Sequence, residues 1–348
     1  MSIDRSLSIL VVIPTLNERA HIDSVVDTLA LDWPQQHRVR IVVADGGSTD
    51  GTVERVHELA QSRPWLSLLP NPQRVQSAAV NLAARVEGKA ADVLVRCDAH
   101  AEYPAGFVRR LVDTLERTDA DAVVVPMDSG GSNCLQRAVA WVSDTPLGSG
   151  GSAHRGGRRS GFIDHGHHAA FRMESFRRAG GYDESFTHNE DAELDCRQRA
   201  LGSRIYLDAD IRIGYSPRDT LRGLWRQYFN YGRGRSRTVR RHPSSLRLRQ
   251  LAVPGYVGSC IVAVLLSLWW PLLLLWPGIY LASLVGVSLQ LVLRRRSVCA
   301  LLAGPAAAAM HWSWALGFFS GWVTVRERRW TPAMAPSMEP TLAEGRKG

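Results

Sequence analysis

Residues 252–293 form a run of 42 positions without Asp, Glu, Lys, Arg or His. A helix needs about 20 apolar residues to cross the hydrocarbon core of a bilayer, so the run is long enough for two spans and a tight turn. The turn is expected at Trp269, Trp270 and Pro271, or at Trp276, Pro277 and Gly278. Tryptophan suits the interfacial belt, and proline with glycine suits a turn. Arg294, Arg295 and Arg296 close the run. A further stretch, 297–325, is weaker: it is rich in Ala and Gly and carries His311. It crosses the bilayer as a third span or lies in the interface. A buried helical hairpin of a soluble protein is the alternative for the whole region.

Charge divides the chain near residue 220. Residues 1–219 hold 25 Lys+Arg and 30 Asp+Glu, a net of −5, whereas residues 220–348 hold 17 and 3, a net of +14. Between Asp219 and Glu327 there is no carboxylate. Nine arginines fall within 222–249, interleaved with Leu224, Trp225, Tyr228, Phe229 and Tyr231. A basic, aromatic-spaced helix beside an apolar run reads as lying on an anionic leaflet, and no nucleic-acid partner is expected. The positive-inside rule places this segment and Arg294–Arg296 in the cytoplasm. Residues 7–13 are too short, and lack the basic lead-in, for a signal peptide. The five cysteines show no CxxC pair, so neither a disulfide framework nor a zinc ribbon is expected, and a reducing compartment fits.

The acidic part alternates strands and helices. Residues 8–13 are a continuous β-branched run ending at Pro14, and 40–44 are a second, the mark of strands buried on both faces. Shorter strands are expected near 66–69 and 92–96, with helices over 22–31, 53–61 and 77–85. The alternation implies an α/β fold with a mostly parallel sheet and helices on both faces. In such sheets ligands bind beyond the carboxyl ends of the strands. Three of those ends carry polar clusters: residues 14–18, 45–52 and 98–100. Each alone is also explained as a turn or a helix cap.

The segments VIPTLNE (12–18), ADGGSTDGT (44–52), RCDAH (96–100) and NED (189–191), in that order, resemble the motifs of family 2 inverting glycosyltransferases. The resemblance spans about residues 7–235. It implies a Rossmann-like nucleotide-diphospho-sugar transferase (GT-A) fold, here with a C-terminal transmembrane helical region. The segments DAHA (98–101) and QYFNYGRGR (227–235), with the apolar tail, look most like membrane-bound transferases of succinoglycan-type exopolysaccharide assembly.

The resemblance carries site roles with it. Asp45 is placed to accept a hydrogen bond from the base of a nucleotide sugar, and Pro14, Thr15 and Glu18 to line the nucleotide pocket. Asn17, Ser48, Asp50, Arg74 and Asp98 are assigned to the same donor site. The family holds Mg or Mn with an Asp-x-Asp motif, but here the second position is His100. Imidazole suits Mn better than Mg, so Asp98 and His100 are the expected ligands. Asp191 stands at the position of the family's general base, with Glu190 beside it. Acids at a helix start also complement the helix dipole, which accounts in part for Glu193 and Asp195. The cluster DHGHH (164–168) suggests a zinc site, but in the family it precedes the acceptor pocket, so His165 and His168 are assigned to the acceptor side. Gln227, Arg233 and Arg235 join them. Gln227 matches the start of the Gln-x-x-Arg-Trp motif of processive members, but Asn230 and Tyr231 replace its Arg and Trp, which favours addition of one sugar. The glycine-rich stretch 148–157 reads as a mobile loop near the substrate.

The expected organisation is a catalytic domain over 1–220, a basic juxtamembrane segment over 221–250, two or three transmembrane helices over 251–325 and a polar tail over 326–348. The expected function is transfer of one sugar from a nucleotide-diphospho-sugar, a UDP-hexose, to a lipid-linked saccharide, at the cytoplasmic face of the cytoplasmic membrane. A polyprenyl-phosphate sugar synthase is the alternative enzyme. A non-catalytic membrane or nucleic-acid-binding scaffold is the alternative of another class.

Overall fold

The run of β-branched residues at 8–13 is buried throughout, and in the computed structural model it forms the centre of a sheet. The structure describes residues 6–31, 33, 37–149 and 159–334. They divide into two units, one of the described residues within 6–125, 159–213 and 331–334, the other of those within 126–149 and 214–330.

The first unit carries strands β1 (Ser8–Thr15), β2 (Arg38–Asp45), β3 (Leu66–Pro70), β4 (Val93–Arg96) and β5 (Ala122–Val125). After β6 (Met127–Ser129), which belongs to the second unit, come β7 (Gly161–Phe162), β8 (His167–Arg172) and β9 (Ile205–Leu207). Helices α1 (Ile22–Ala30), α2 (Thr52–Ser62), α3 (Gln76–Val86) and α4 (Phe107–Thr118) connect the early strands. The second unit contributes α5 (Cys134–Ser143) and α6 (Pro146–Ser149), and the first resumes with α7 (Met173–Arg178) and α8 (Glu190–Ala200). The sheet order is β3-β2-β1-β4-β8-β5-β9-β7. Leu10 and Val12 of β1 pack with Ala79, Val80 and Ala83 of α3, Phe176 of α7 and Leu194 of α8. Ile9, Val11 and Ile13, which alternation sends to the opposite face, are equally buried.

The sheet is mixed, not mostly parallel. β1 pairs in parallel with β2 and β4, but β8 runs antiparallel between β4 and β5. The cause is the chain's path: β8 returns to the sheet only after the chain has left for the second unit. Its segment reads GFIDHGHHAAFR from residue 161 and lacks the β-branched run that marks β1 and β2. The chain steps from β1 to β2 to β3 on one side and then places β4 on the other side of β1. That reversal opens a crevice at the carboxyl ends of β1 and β4, the usual ligand position in such folds.

Among its described residues the second unit is helical apart from the pairing of β6 with β10 (Ile213–Tyr215), which begins at the unit boundary. It holds α9 (Leu221–Arg241), α10 (Leu248–Leu266), α11 (Leu275–Arg295) and α12 (Ala303–Thr324). One core cluster joins Val139 and Val142 of α5, Leu224 and Tyr228 of α9, Leu284 and Leu291 of α11, and Ala303 to Met310 of α12. The arginine-rich segment is α9, and its glycine side packs on α12. A Cβ on Gly317 would sit 2.0 Å from the Phe229 carbonyl oxygen, and one on Gly232 2.0 Å from that of Trp314. Arg240 donates to the carbonyl of Gly321 at 2.7 Å and to that of Val325, satisfying the end of α12. Buried Glu327 pairs with Arg237 and with Arg241, the latter at 2.9 Å.

The break in the long uncharged run falls at Trp269, Trp270 and Pro271, and Pro277 enters the first turn of α11. Among the described residues one helix, Pro271–Arg295, is long and apolar enough to cross a membrane, and the apolar part of α10, Gln250–Leu266, is shorter. The further apolar stretch, 297–325, is a 3-10 turn, Val298–Leu302, followed by α12, which is buried on Ala306, Ala307, Met310 and Gly317. Against the expectation from cysteine spacing, Cys134 and Cys299 are bonded, with Cα atoms 4.8 Å apart. Residues 165 apart leave no local signal of such a pair. Most of the glycine-rich stretch 148–157 lies outside the described residues, as does most of the polar tail.

Candidate active site

Two loops lace together at the carboxyl ends of β1 and β2. Asp45 ends β2 and turns its carboxylate onto its own loop: Oδ2 accepts from the backbone N–H of Gly47 at 2.7 Å and of Ser48 at 2.9 Å, and Oδ1 from the Ser48 hydroxyl at 2.5 Å. Ser48 Oγ also accepts from Asn17 N–H at 2.8 Å, and Asn17 Oδ1 accepts from Thr49 N–H at 2.9 Å. Asp50 accepts from Arg19 N–H at 3.0 Å and from the Thr52 hydroxyl at 2.5 Å. The Thr52 hydroxyl and these N–H groups hold the Asp50 carboxyl below its ordinary range. Asn17 (φ 56°) and Arg74 (φ 59°) adopt left-handed backbone here, and Arg74 Nε donates to Gly46 O at 2.8 Å. Pro14 and Thr15 end β1 in register with Ala44 and Asp45. The nine residues assigned to the donor site thus come from loops at the ends of four adjacent strands.

β4 delivers Arg96 and Asp98 beside them. Asp98 Oδ1 accepts from Gln76 Nε2 at 2.5 Å, and its Oδ2 lies 3.7 Å from His167 Nε2. Burial raises the Asp98 carboxyl, but Arg96, His167 and His100 outweigh it and hold it low. His100 places Nδ1 3.0 Å from Glu18 Oε1. A carboxylate on one ring nitrogen fixes the other toward a metal, the usual outer-shell arrangement for a histidine ligand. Asp98 and His100 are the side chains here that could hold a cation. Among the described residues no group of three or more His, Cys, Asp or Glu is gathered to hold a metal.

The acids of α8 approach Arg96. Gly180 (φ 79°) and Gly181 (φ 67°) make the turn before it, and Asn81 fixes the next residue, Tyr182, through its N–H at 2.9 Å and its carbonyl at 2.8 Å. Arg96 is buried, with Nη1 2.5 Å from Asp191 Oδ1 and Nη2 3.6 Å from Asp98 and 3.8 Å from Glu190. His168 Nδ1 lies 3.2 Å from the same Asp191 oxygen. Burial alone would raise Asp191, but Arg96 first and then His168 hold it well below the usual carboxylate range. Burial and the Asp191 charge push Glu190 up to about 7. One guanidinium therefore draws together three carboxylates that would otherwise repel.

Residues 10–180 match the family described as Glycosyl transferase family 2. The succinoglycan biosynthesis protein ExoA of Rhizobium meliloti (strain 1021) is 41% identical over 323 residues, 93% of this chain and 97% of that protein. The chain belongs to glycosyl transferase family 2. A second relative of this transferase is the dolichyl N-acetyl-alpha-D-glucosaminyl phosphate 3-beta-D-2,3-diacetamido-2,3-dideoxy-beta-D-glucuronosyltransferase of Methanococcus voltae. It is 22% identical over 67% of this chain and 74% of its own length. The mannosyltransferase PcManGT from Pyrobaculum calidifontis, solved in complex with GDP-Man and Mn2+, superposes with a TM-score of 0.57 at 20% identity, covering 88% of each chain. The fold of the family 2 transferase is accordingly GT-A-like, with a mixed sheet.

The remaining assigned residues are placed as follows. His165 and His168 both grip Asp195, each at 2.7 Å, and His168 is buried. Gln227 Nε2 donates to the Tyr215 hydroxyl at 3.0 Å within the second unit, and Arg235 donates to Ser245 O and Gln250 Oε1, both at 2.7 Å. Arg233 lies on the same helix, where its carbonyl accepts from the Ser236 hydroxyl at 2.8 Å. The sequence assigns no site role to Arg96, Gln76, His167, Tyr182 or Asp195. Arg96 stood inside a quoted motif, and Asp195 lies four residues after Asp191, on the same helix face.

Proposed function

We propose that this family 2 transferase is a membrane-anchored inverting enzyme. It moves one sugar, a hexose carried on UDP, from a nucleotide-diphospho-sugar to a lipid-linked saccharide in exopolysaccharide or cell-envelope glycan synthesis. The observation that carries this reading is the approach of Glu190 and Asp191 to Asp98, with Arg96 between them. A candidate base from a separate chain segment stands beside the donor loops, as inversion requires. The ExoA relative, similar over nearly the whole chain, supports an exopolysaccharide product.

The nucleotide lies over Pro14, Thr15, Asn17 and Glu18, with Asp45, Ser48, Asp50 and Arg74 shaping its loop. Asp98 and His100 would hold Mg or Mn, which would supply positive charge against the leaving diphosphate. Asp191 takes the proton of the acceptor hydroxyl as it attacks the anomeric carbon, and Glu190 contacts the acceptor. A second reading makes Glu190 the base, because a pKa of about 7 suits general-base catalysis at neutral pH. His165, His168, Gln227, Arg233 and Arg235 serve the acceptor side, His168 from beneath the site. Helix Pro271–Arg295 anchors the chain in the cytoplasmic membrane with α10 beside it, and the catalytic unit faces the cytoplasm.

The test is sugar transfer by membranes carrying the protein, with UDP-, GDP- and dTDP-sugars offered against lipid-linked saccharide and against bare polyprenyl phosphate. Transfer from a UDP-sugar to the saccharide is expected. Transfer to the bare phosphate alone favours the polyprenyl-phosphate synthase, and no transfer or donor hydrolysis with any sugar favours a scaffold.

A further inference from the structure

Asp195 is buried and stands one turn beyond Asp191 on α8. A different histidine takes each of its oxygens: His168 Nε2 lies 2.7 Å from Oδ1 and His165 Nδ1 2.7 Å from Oδ2. The other nitrogen of His168, Nδ1, lies 2.8 Å from the Tyr182 hydroxyl and 3.2 Å from Asp191 Oδ1. The result is a continuous line, Asp191–His168–Asp195–His165. His168 and Asp195 are sealed within it, while the His165 side chain is 37% exposed. Glu190 is off this line, and the cation paired with it among the described residues is Arg96, at 3.8 Å.

We propose that Asp195, acting through His168, is a positioning residue for sugar transfer: it fixes which of the two neighbouring carboxylates, Glu190 or Asp191, stays charged to take the acceptor's proton. The inference rests on the reading of Asp191 as the base. A carboxylate on Nε2 keeps that nitrogen protonated and sets the ring so that Nδ1 faces Asp191. Asp191 Oδ1 then receives both Arg96 and His168. Its Oδ2 has no short hydrogen bond among the described residues, and the ring nitrogen of His167, Nδ1, lies 3.9 Å away. That oxygen is the one left for the acceptor's proton.

The groups facing the pair are Arg96 and Asp98 from the β4 end, His167 and His168 from β8, Tyr182 from the turn after α7, and Asp195 with His165 behind. Burial would leave His168 neutral, but Asp195, Tyr182 and Asp191 raise it well above the usual histidine range. Two environments thus push adjacent carboxylates apart, the pattern that sorts acid from base in active sites. Losing Asp195 returns His168 to the neutral form. Asp191 then keeps only Arg96 as a close cation, and the pair binds its proton at higher pH.

The experiment is kcat/KM against pH for the full-length wild type, Asp195→Asn, His165→Gln and Asp191→Asn in membranes, with nucleotide-sugar affinity measured separately. Asp195→Asn is expected to keep donor affinity and to lose ~10-fold or more in kcat. Its acidic limb should move up by about one pH unit, and that of His165→Gln by less in the same direction. An unmoved acidic limb in Asp195→Asn overturns the proposal, as does a loss confined to donor affinity. Wild-type turnover in Asp191→Asn instead removes the base assignment, a separate failure. Should Asp195→Asn not fold, nitrogen-15 spectra of histidine-labelled wild type decide: both His168 nitrogens protonated at neutral pH is the expected result, and a neutral His168 overturns the proposal.

Discussion

Glu190 and Asp191 are chain neighbours whose ionisation is pushed in opposite directions by what surrounds them. Asp191 has Arg96 and His168 at hydrogen-bonding range, whereas Glu190 has burial and the Asp191 charge against it. The sign of the pH dependence follows. If Asp191 is the base, kcat/KM stays flat as pH falls from 8 through 5, because its carboxyl remains ionised. If Glu190 is the base, activity is lost as pH falls below about 7. Asp191→Asn is expected to lower turnover by about 10²-fold or more while donor binding persists. Burying a charged Glu190 above its raised pKa costs stability that is absent at low pH, so Glu190→Gln should raise the melting temperature more at pH 8 than at pH 6. Asp98→Asn is expected to abolish transfer, and His100→Asp to keep it with a changed Mg/Mn preference; full wild-type activity in excess chelator counts against both. The motif residues could be found in the sequence because each is a polar side chain at the end of an apolar strand. Arg96 lies inside one of those motifs, but its role does not show there, since it closes the strand itself and its partners on α8 lie 94 and 95 residues on. Asp195 was masked by a sufficient bland account, an acid near a helix start, and its histidines lie 27 and 30 residues back.

At the scale of elements, α9 and α12 touch backbone to backbone through glycine. The space at Gly317 holds no Cβ, so Gly317→Leu must part the helices. It is expected to cost about 1–3 kcal/mol, seen as a lower melting temperature of the detergent-solubilised protein, whereas exposed Gly286→Ala, with nothing within 4 Å of its Cβ, should not. A melting temperature unchanged by Gly317→Leu would show that the two helices are not in contact. Composition marked both segments, one basic and one apolar, but not their pairing. The glycines that permit close approach look like weak helix positions until the partner is known. β8 escaped for a related reason. Its centrality comes from the neighbours β4 and β5, while its own residues, two of them histidines, carry no strand signature.

At the scale of the whole molecule, charge distinguishes an acidic sequence, 1–219, from a basic one, 220–348, but the helical unit also draws on residues of the acidic part. Binding through burial of Pro271–Arg295 resists salt, whereas arginine contacts alone are screened. The protein is therefore expected to stay with membranes in molar salt, and complete extraction would refute the anchor. Cutting the chain at 250 is the obvious way to free the catalytic part, but Val139, Val142, Leu224 and Tyr228 share a core with residues of α11 and α12. A 1–250 fragment would bare that core, so it is expected in the insoluble fraction, and a soluble, active fragment would contradict this. The insertion of β8 between β4 and β5 also sets a timetable. When β5 leaves the ribosome, its neighbours β8 and β9 do not yet exist, and β4 has an open edge. At 5–20 residues per second, the stretch from residue 125 to residue 207 takes roughly 4–16 s to make. Until β8 is made within that interval, every nascent chain displays an unpaired β5 and the open edge of β4 beside the next polysome-borne copy, so slow translation or crowded expression should penalise this protein more than one whose strands pair in the order they are made.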